Sequence, residues 1–365
     1  MVNPIKITKR AELPHIKMIL IEIVAVVLSL VFAGIVLLLF NLNPLKVFSA
    51  IIEGALGTGL RIEQTINKAI PLTIASLGIL VAFKMKFWNI GGEGQITIGA
   101  LAASLVALNL GSLPRPLLLL LMAVAAIAAG ALWALIPATF KAKWGTNETI
   151  FTLMMNYVAI KFVTYLQYGP MRDPNSSGFP RIASFSENGL MPDFLGYQLG
   201  WVITILLVAF TYFFINHTKK GYEITVVGES IETARYAGMN IPSIIVISMA
   251  ISGGLCGLVG MIQVSAIEKT LVFGIANNYG FTAIITSWLA RLNAISTLFV
   301  CIAFAILMQG ATYIQLAMHV PSSVAEVVQG IILFFVLGSD FFLRYKVGFD
   351  FGGKRAKAAA GGVIQ

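Results

Sequence analysis

Charge is what this sequence has least of. Only 11% of its 365 residues are Asp, Glu, Lys or Arg, against about 25% in an ordinary soluble domain. With 58% hydrophobic residues and a mean hydropathy of +0.88, the chain cannot cover a water-facing surface, which excludes a soluble globular fold. Cysteine is scarce too. Cys256 and Cys301 both lie in apolar runs; this excludes a disulfide framework or a cysteine zinc site and leaves them as small packing residues. His15, His217 and His319 are scattered without metal-ligand spacing, so no bound metal is expected. No Ser-His-Asp set, HExxH motif or paired carboxylates occur, which argues against an enzyme. The net charge of +9 reads as the basic bias of cytoplasmic loops and not as a nucleic-acid surface.

What is present in quantity is long apolar runs. Spans are expected at about 18–42, 66–83, 88–109, 116–138, 148–168, 199–216, 242–264, 279–290, 295–316 and 322–340, most near the roughly 20 residues that cross a bilayer; the third and eighth are the least regular, each being short or carrying polar residues. The chain is therefore expected to be an all-α membrane protein of about ten transmembrane helices, in one transmembrane domain over 1–365. With the N-terminus inside, most of the 25 Lys and Arg fall on the cytoplasmic side: Lys6, Lys9, Arg10, Lys17, Lys84, Lys86, Lys141, Lys143, Lys219, Lys220, Arg235, Arg291, Arg344, Lys346, Lys354, Arg355 and Lys357. Both tails, about 1–17 and 341–365, are then cytoplasmic. A loop at about 169–198 is external, and a segment at about 217–241 is internal. Residues 43–65 are expected outside, as an amphipathic helix along the lipid surface.

Ionisable residues in or near the spans are few. Glu93, Lys161, Glu268 and Glu326 stand out, and most lie near ends, which argues against an ion-coupled carrier. Gly348 to Lys354 has GxxxxGK spacing, but Arg355 replaces the magnesium-binding Ser or Thr, and no strand is expected before it. No ATP or other cofactor is expected on this chain.

Four stretches carry polar or glycine patterns. In Phe87-Trp88-Asn89-Ile90-Gly91-Gly92-Glu93-Gly94-Gln95, two amides, a carboxylate and three glycines enter a span together. Two readings stand: a substrate pathway or gate using Asn89, Glu93 and Gln95, or a helix start with Glu93 in its first turn. Thr146 or Asn147 would cap the next span, and further inside it Asn156 and Tyr157 offer either ligand contacts or interhelical bonds. In the internal segment, Ser230 caps a short helix that stops before Gly238. Its residues Glu229, Ser230, Thr233, Ala234, Arg235, Tyr236 and Gly238 are candidates for docking a partner, with Ile231, Ala234 and Tyr236 as an apolar face. Gly253 and Gly257 form a GxxxG helix-packing face.

Together these stretches resemble the permease subunits of simple-sugar and nucleoside ABC importers. That family's NIGxEGQ-like motif is matched at Asn89–Gln95, its NExxxTLMxNY pattern at Asn147–Tyr157 and its AxYAGxN pattern at Ala234–Asn240. GFxAIxxxxLxRLN is matched at Gly280–Asn293, and VPSxxxxVxQG at Val320–Gly330. Three departures stand out: Trp88 where Phe or Leu is usual, Gly92 where Ala is usual, and Trp288-Leu289-Ala290 in place of a small, Gly-containing turn before Arg291. The resemblance implies a type II-like importer in a bacterial plasma membrane. It would have a second, different permease chain, two cytoplasmic ATPases that use the ATP, and an external binding protein. Its coupling helix would map to Glu229–Gly238. The long segment before the first motif resembles the nucleoside branch; a simple sugar or a branched-chain amino acid is the alternative cargo.

Overall fold

Backbone amides have no water to bond to in hydrocarbon, so an apolar run satisfies them internally as a helix. The computed structural model, which describes residues 5–9, 14–174, 176, 180–318 and 321–349, folds each apolar run that way. The helices are α1 (His15–Leu39), α2 (Pro44–Leu56), α3 (Gly59–Lys84), α4 (Gly92–Asn109), α5 (Arg115–Trp144), α6 (Glu148–Tyr168), α7 (Gly200–His217), α8 (Lys219–Glu229), α9 (Ile231–Tyr236), α10 (Ile241–Ile262), α11 (Tyr279–Leu289), α12 (Ala294–Ala317) and α13 (Ser322–Arg344). Six of them, α3, α5, α6, α7, α10 with its extension to Ile267, and α12, are long and apolar enough to cross a bilayer; a bent pair made by Ile23–Leu39 and α2 would be a seventh. α11 is different. Its 11 residues reach about 16 Å at 1.5 Å per residue, roughly half the hydrocarbon thickness.

The chain divides into two compact units, residues 1–50 with 314–365 and residues 51–313. In the first, α1 packs along α13, and β1 (Ile5–Lys9) pairs antiparallel with β4 (Tyr345–Phe349). That strand is unexpected: it immediately precedes most of the GxxxxGK-like stretch, whose residues from 350 lie outside those described, as does Val320 of the last motif.

In the second unit α10 is the axis, touching α3, α4 and α5. Its glycines permit this. A Cβ on Gly253 would meet Gly130 and Ala134 of α5, and one on Gly257 would meet the Ala126 carbonyl. Gly99 of α4 in turn lies against Gly257. α2 is the helix expected within 43–65, and its second half packs on α12, with Gly54 against the Tyr313 ring and Ile51 against Gly310.

The external loop candidate holds a short hairpin, β2 (Asp193–Phe194) and β3 (Tyr197–Gln198), turned at Leu195 and Gly196 with φ of 56° and 82°. It is tied down where α10 ends: Met191 N–H donates to the Ser265 carbonyl at 3.1 Å and Phe185 N–H to that of Lys269 at 3.1 Å.

Candidate functional site: a polar knot and a projecting helix

Two helices in the second unit start from non-helical backbone, α4 after residues 85–91 and α11 after residues 268–278. Such backbone is tolerated at membrane depth only when protein groups satisfy it. The motif side chains are those groups. Asn156 of α6 donates from Nδ2 to the Ile90 carbonyl at 2.8 Å, and its Oδ1 accepts from Gly94 N–H at 2.8 Å. Thr152, one turn earlier, accepts from Ile90 N–H at 3.1 Å. Asn89 bonds Gln95 both ways, at 3.2 and 3.1 Å, donates to Ser252 at 3.0 Å, and accepts from Gly91 N–H at 3.0 Å. Asn89, Gln95 and Asn156 are all buried.

Glu93 closes the knot from the other side. Its two carboxylate oxygens accept the N–H groups of Asn278 and Gly280, each at 2.9 Å. Asn278 at the N-cap of α11 makes no side-chain cap of its own. One carboxylate thus lies at the N-terminal ends of two helices, α4 and α11, where both dipoles favour negative charge. The motif glycines allow the approach: a Cβ at Gly92 would lie 3.3 Å from Gly280 Cα, and one at Gly94 would lie 2.9 Å from Asn156 Oδ1.

We expect Glu93→Gln to lower folded yield and uptake in parallel. An amide keeps one acceptor and turns a second donor toward a backbone N–H, and charge-assisted hydrogen bonds contribute about 1.5–3 kcal/mol each. Detergent-extracted yield, read beside uptake per folded molecule, decides it. Normal yield with lost uptake would restore the gating reading.

The second feature projects. α9 is capped by Ser230, whose hydroxyl accepts from Thr233 N–H at 3.2 Å, and it ends near Gly238 at φ 70°. Glu229, Thr233, Arg235 and Gly238 are exposed, and Tyr236 is 93% exposed. α8 mounts this helix on the membrane-spanning body: a Cβ on Gly228 would meet the Lys84 carbonyl at the end of α3. A cleft of about 340 Å³ runs beneath, lined by Met85, Lys86, Phe87, Lys141, Glu148 and residues 227–232. Across it Lys141 pairs with Glu148 at 2.7 Å.

The sequence profile of the permease component of branched-chain amino acid transport systems matches residues 61–337. The chain belongs to that family. The permease is 33% identical to the glucose ABC transporter permease protein TsgB13 of Haloferax volcanii, over 93% of each chain. It is 30% identical to the guanosine ABC transporter permease protein NupP of Bacillus subtilis, over 90% of this chain and 96% of that one. To the nucleoside ABC transporter permease protein NupB of Lactococcus lactis it is 28% identical, over 87% and 90%.

In this permease the two tryptophans that depart from the family pattern touch each other. The rings of Trp88 and Trp288 lie 5.5 Å apart, and Phe83 lies against both, at 5.1 and 6.1 Å.

Two expected site residues are not where the sequence reading put them. Tyr157 is 56% exposed, because one step along a helix turns a side chain about 100° away from the buried Asn156. Ala234 is fully buried and belongs to the seat of α9, so the exposed apolar face is Ile231 and Tyr236. Gly253 and Gly257 lie at the α10–α5 crossing. Residues the sequence reading passed over are Thr152 and Ser252, which complete the knot, and Lys68, which lies inside the expected span 66–83. Thr152 was legible one turn before Asn156; Ser252 had no such signal.

Proposed function

We propose that this permease forms half of the translocation path of an ATP-driven importer for nucleosides, coupled to its ATPase through α9. The observation that carries the coupling is the exposed Ile231–Tyr236 face on a helix rigidly mounted at the end of α3. A force on α9 reaches Gly228, then Lys84, then the bend 85–91, and so the knot from which α4 and α11 start. ATP would be bound and hydrolysed by the partner ATPase, with an external binding protein delivering the solute.

NupP and NupQ of Bacillus subtilis, both guanosine permease proteins, each resemble this chain, which supports pairing with a second, different permease. The β1–β4 pairing brings residues 5–9 beside residues 345–349, which supports an even number of crossings between them, one shared by the short α11 and the non-helical 268–278 before it, with both termini in the cytoplasm, the 169–198 loop outside and 217–241 inside. The pathway reading for the knot narrows accordingly: Asn89, Glu93, Gln95 and Asn156 hold the two helix starts and move with them. Glucose is the second cargo reading, favoured by the identity to TsgB13.

The test is uptake of labelled guanosine, glucose and leucine by cells that have this permease, with its transport partners, as their sole route. Guanosine should enter, stop when ATP is depleted, and continue when a protonophore is added with ATP held constant. Glucose entry instead of guanosine would move the cargo to sugar. Arrest by the protonophore at constant ATP would overturn the ATP-driven reading.

A further inference from the structure

The first third of α3 is the least apolar part of any spanning helix here: Arg61, Glu63, Gln64, Asn67 and Lys68 fall within eight positions. Residues 61, 64 and 68 share one face by helical spacing, and that face meets α12. Gln309 Nε2 donates to Gln64 Oε1 at 2.6 Å. Lys68 Nζ donates to Thr312 Oγ1 at 2.7 Å and to the Met308 carbonyl at 3.3 Å. Asn67 turns toward the hairpin of the 169–198 loop, accepting from Gln198 Nε2 at 2.8 Å.

Helix packing does not need these groups. Polar pairs between spanning helices contribute little more than apolar ones, and a cation inside a span is costly and marks function by default. The inventory is also unfinished. Both acceptors of Lys68 are neutral, and among the described residues no carboxylate pairs with it. Gln198 is only 6% exposed, and its Oε1 has no hydrogen-bond partner. Gln64 is exposed, while Asn67 and Lys68 are half-buried. The spare oxygen of Gln198 thus lies on the amide that bonds Asn67, and Lys68, the next residue of α3 and about 13 Å along it from Gly59, carries donors toward Thr312 on the adjoining face. A hydroxyl both donates and accepts, so a solute carrying neighbouring hydroxyls matches this set, whereas an apolar amino-acid side chain does not.

We propose that Gln64, Asn67 and Lys68, with Gln198 and Thr312, form a subsite that takes the ring hydroxyls of the transported solute. The proposal rests on the importer reading, and the following experiment separates the two. Labelled guanosine and glucose are competed against analogues that each lack one hydroxyl, in cells carrying the wild-type permease, Lys68→Met or Gln64→Leu. Wild type should favour the full solute over one such analogue by about tenfold. Lys68→Met or Gln64→Leu should shrink that preference to about twofold or less, and Lys68→Arg should keep it. Selection by the binding protein is common to all strains and cancels. Gln64 is exposed, so its leucine variant is expected to fold even if Lys68→Met does not. A uniform loss of uptake with the preference unchanged would mean that the cluster is only a seam, to α12 or to the second permease, and would overturn the subsite. If neither solute enters wild-type cells, the cargo reading fails and the subsite falls with it.

Discussion

A Tyr236→Glu permease is expected to reach the membrane in normal amount and to import at background rate. Tyr236 is 93% exposed on a helix that projects from the second unit, so the change removes no packing within the chain. An aromatic anchor at the centre of an interface typically contributes about 2–4 kcal/mol, or roughly thirtyfold to a thousandfold in association. Glutamate adds a charge that must be desolvated. Co-purification of the ATPase should fall accordingly, and Ile231→Asp should act the same way. Ala234→Arg is a poor substitute, because residue 234 is fully buried and arginine there would dislodge α9 itself. Wild-type ATPase association and uptake in the Tyr236 variant would place coupling elsewhere on the chain.

The second large effect belongs to the crossing of α10 and α5. Gly257→Val should leave almost no folded protein. The new Cβ would meet the Ala126 carbonyl and lie 3.1 Å from Gly130 Cα. These are backbone atoms, which cannot rotate aside as a side chain does. Overpacking that side chains can absorb costs about 1–3 kcal/mol, and here α10 would have to separate from the backbone of α5. Gly59→Ala is the control, since a Cβ there meets nothing within 4 Å and alanine suits a helix better. The check is yield and thermal midpoint in detergent. A Gly257→Val variant as abundant as wild type would show that the helices can move apart at little cost.

The glycine and cap signals were readable because they are local. Asn147 caps α6, accepting from Ile150 N–H at 3.2 Å, and Ser230 caps α9; both bonds span three residues. The shortness of α11 was also visible, as an apolar run interrupted by Arg291. The partner of Glu93 was not visible. Its two donors lie at positions 278 and 280, and no spacing rule connects them to residue 93. The same holds for Asn89 with Ser252, and for Lys68, whose neighbours on α12 lie some 240 residues along the chain.

Composition and periodicity therefore determined, unaided, that this chain enters a membrane, where most of its long helices run, and that Ser230 caps α9, because hydrophobic transfer and capping act between a residue and its solvent or its own turn. The tertiary structure alone decided which polar group satisfies which. In hydrocarbon an unpaired amide or carboxylate is too costly to persist, so the motif residues found their meaning in whichever distant helix start, loop or neighbouring span could complete their bonds.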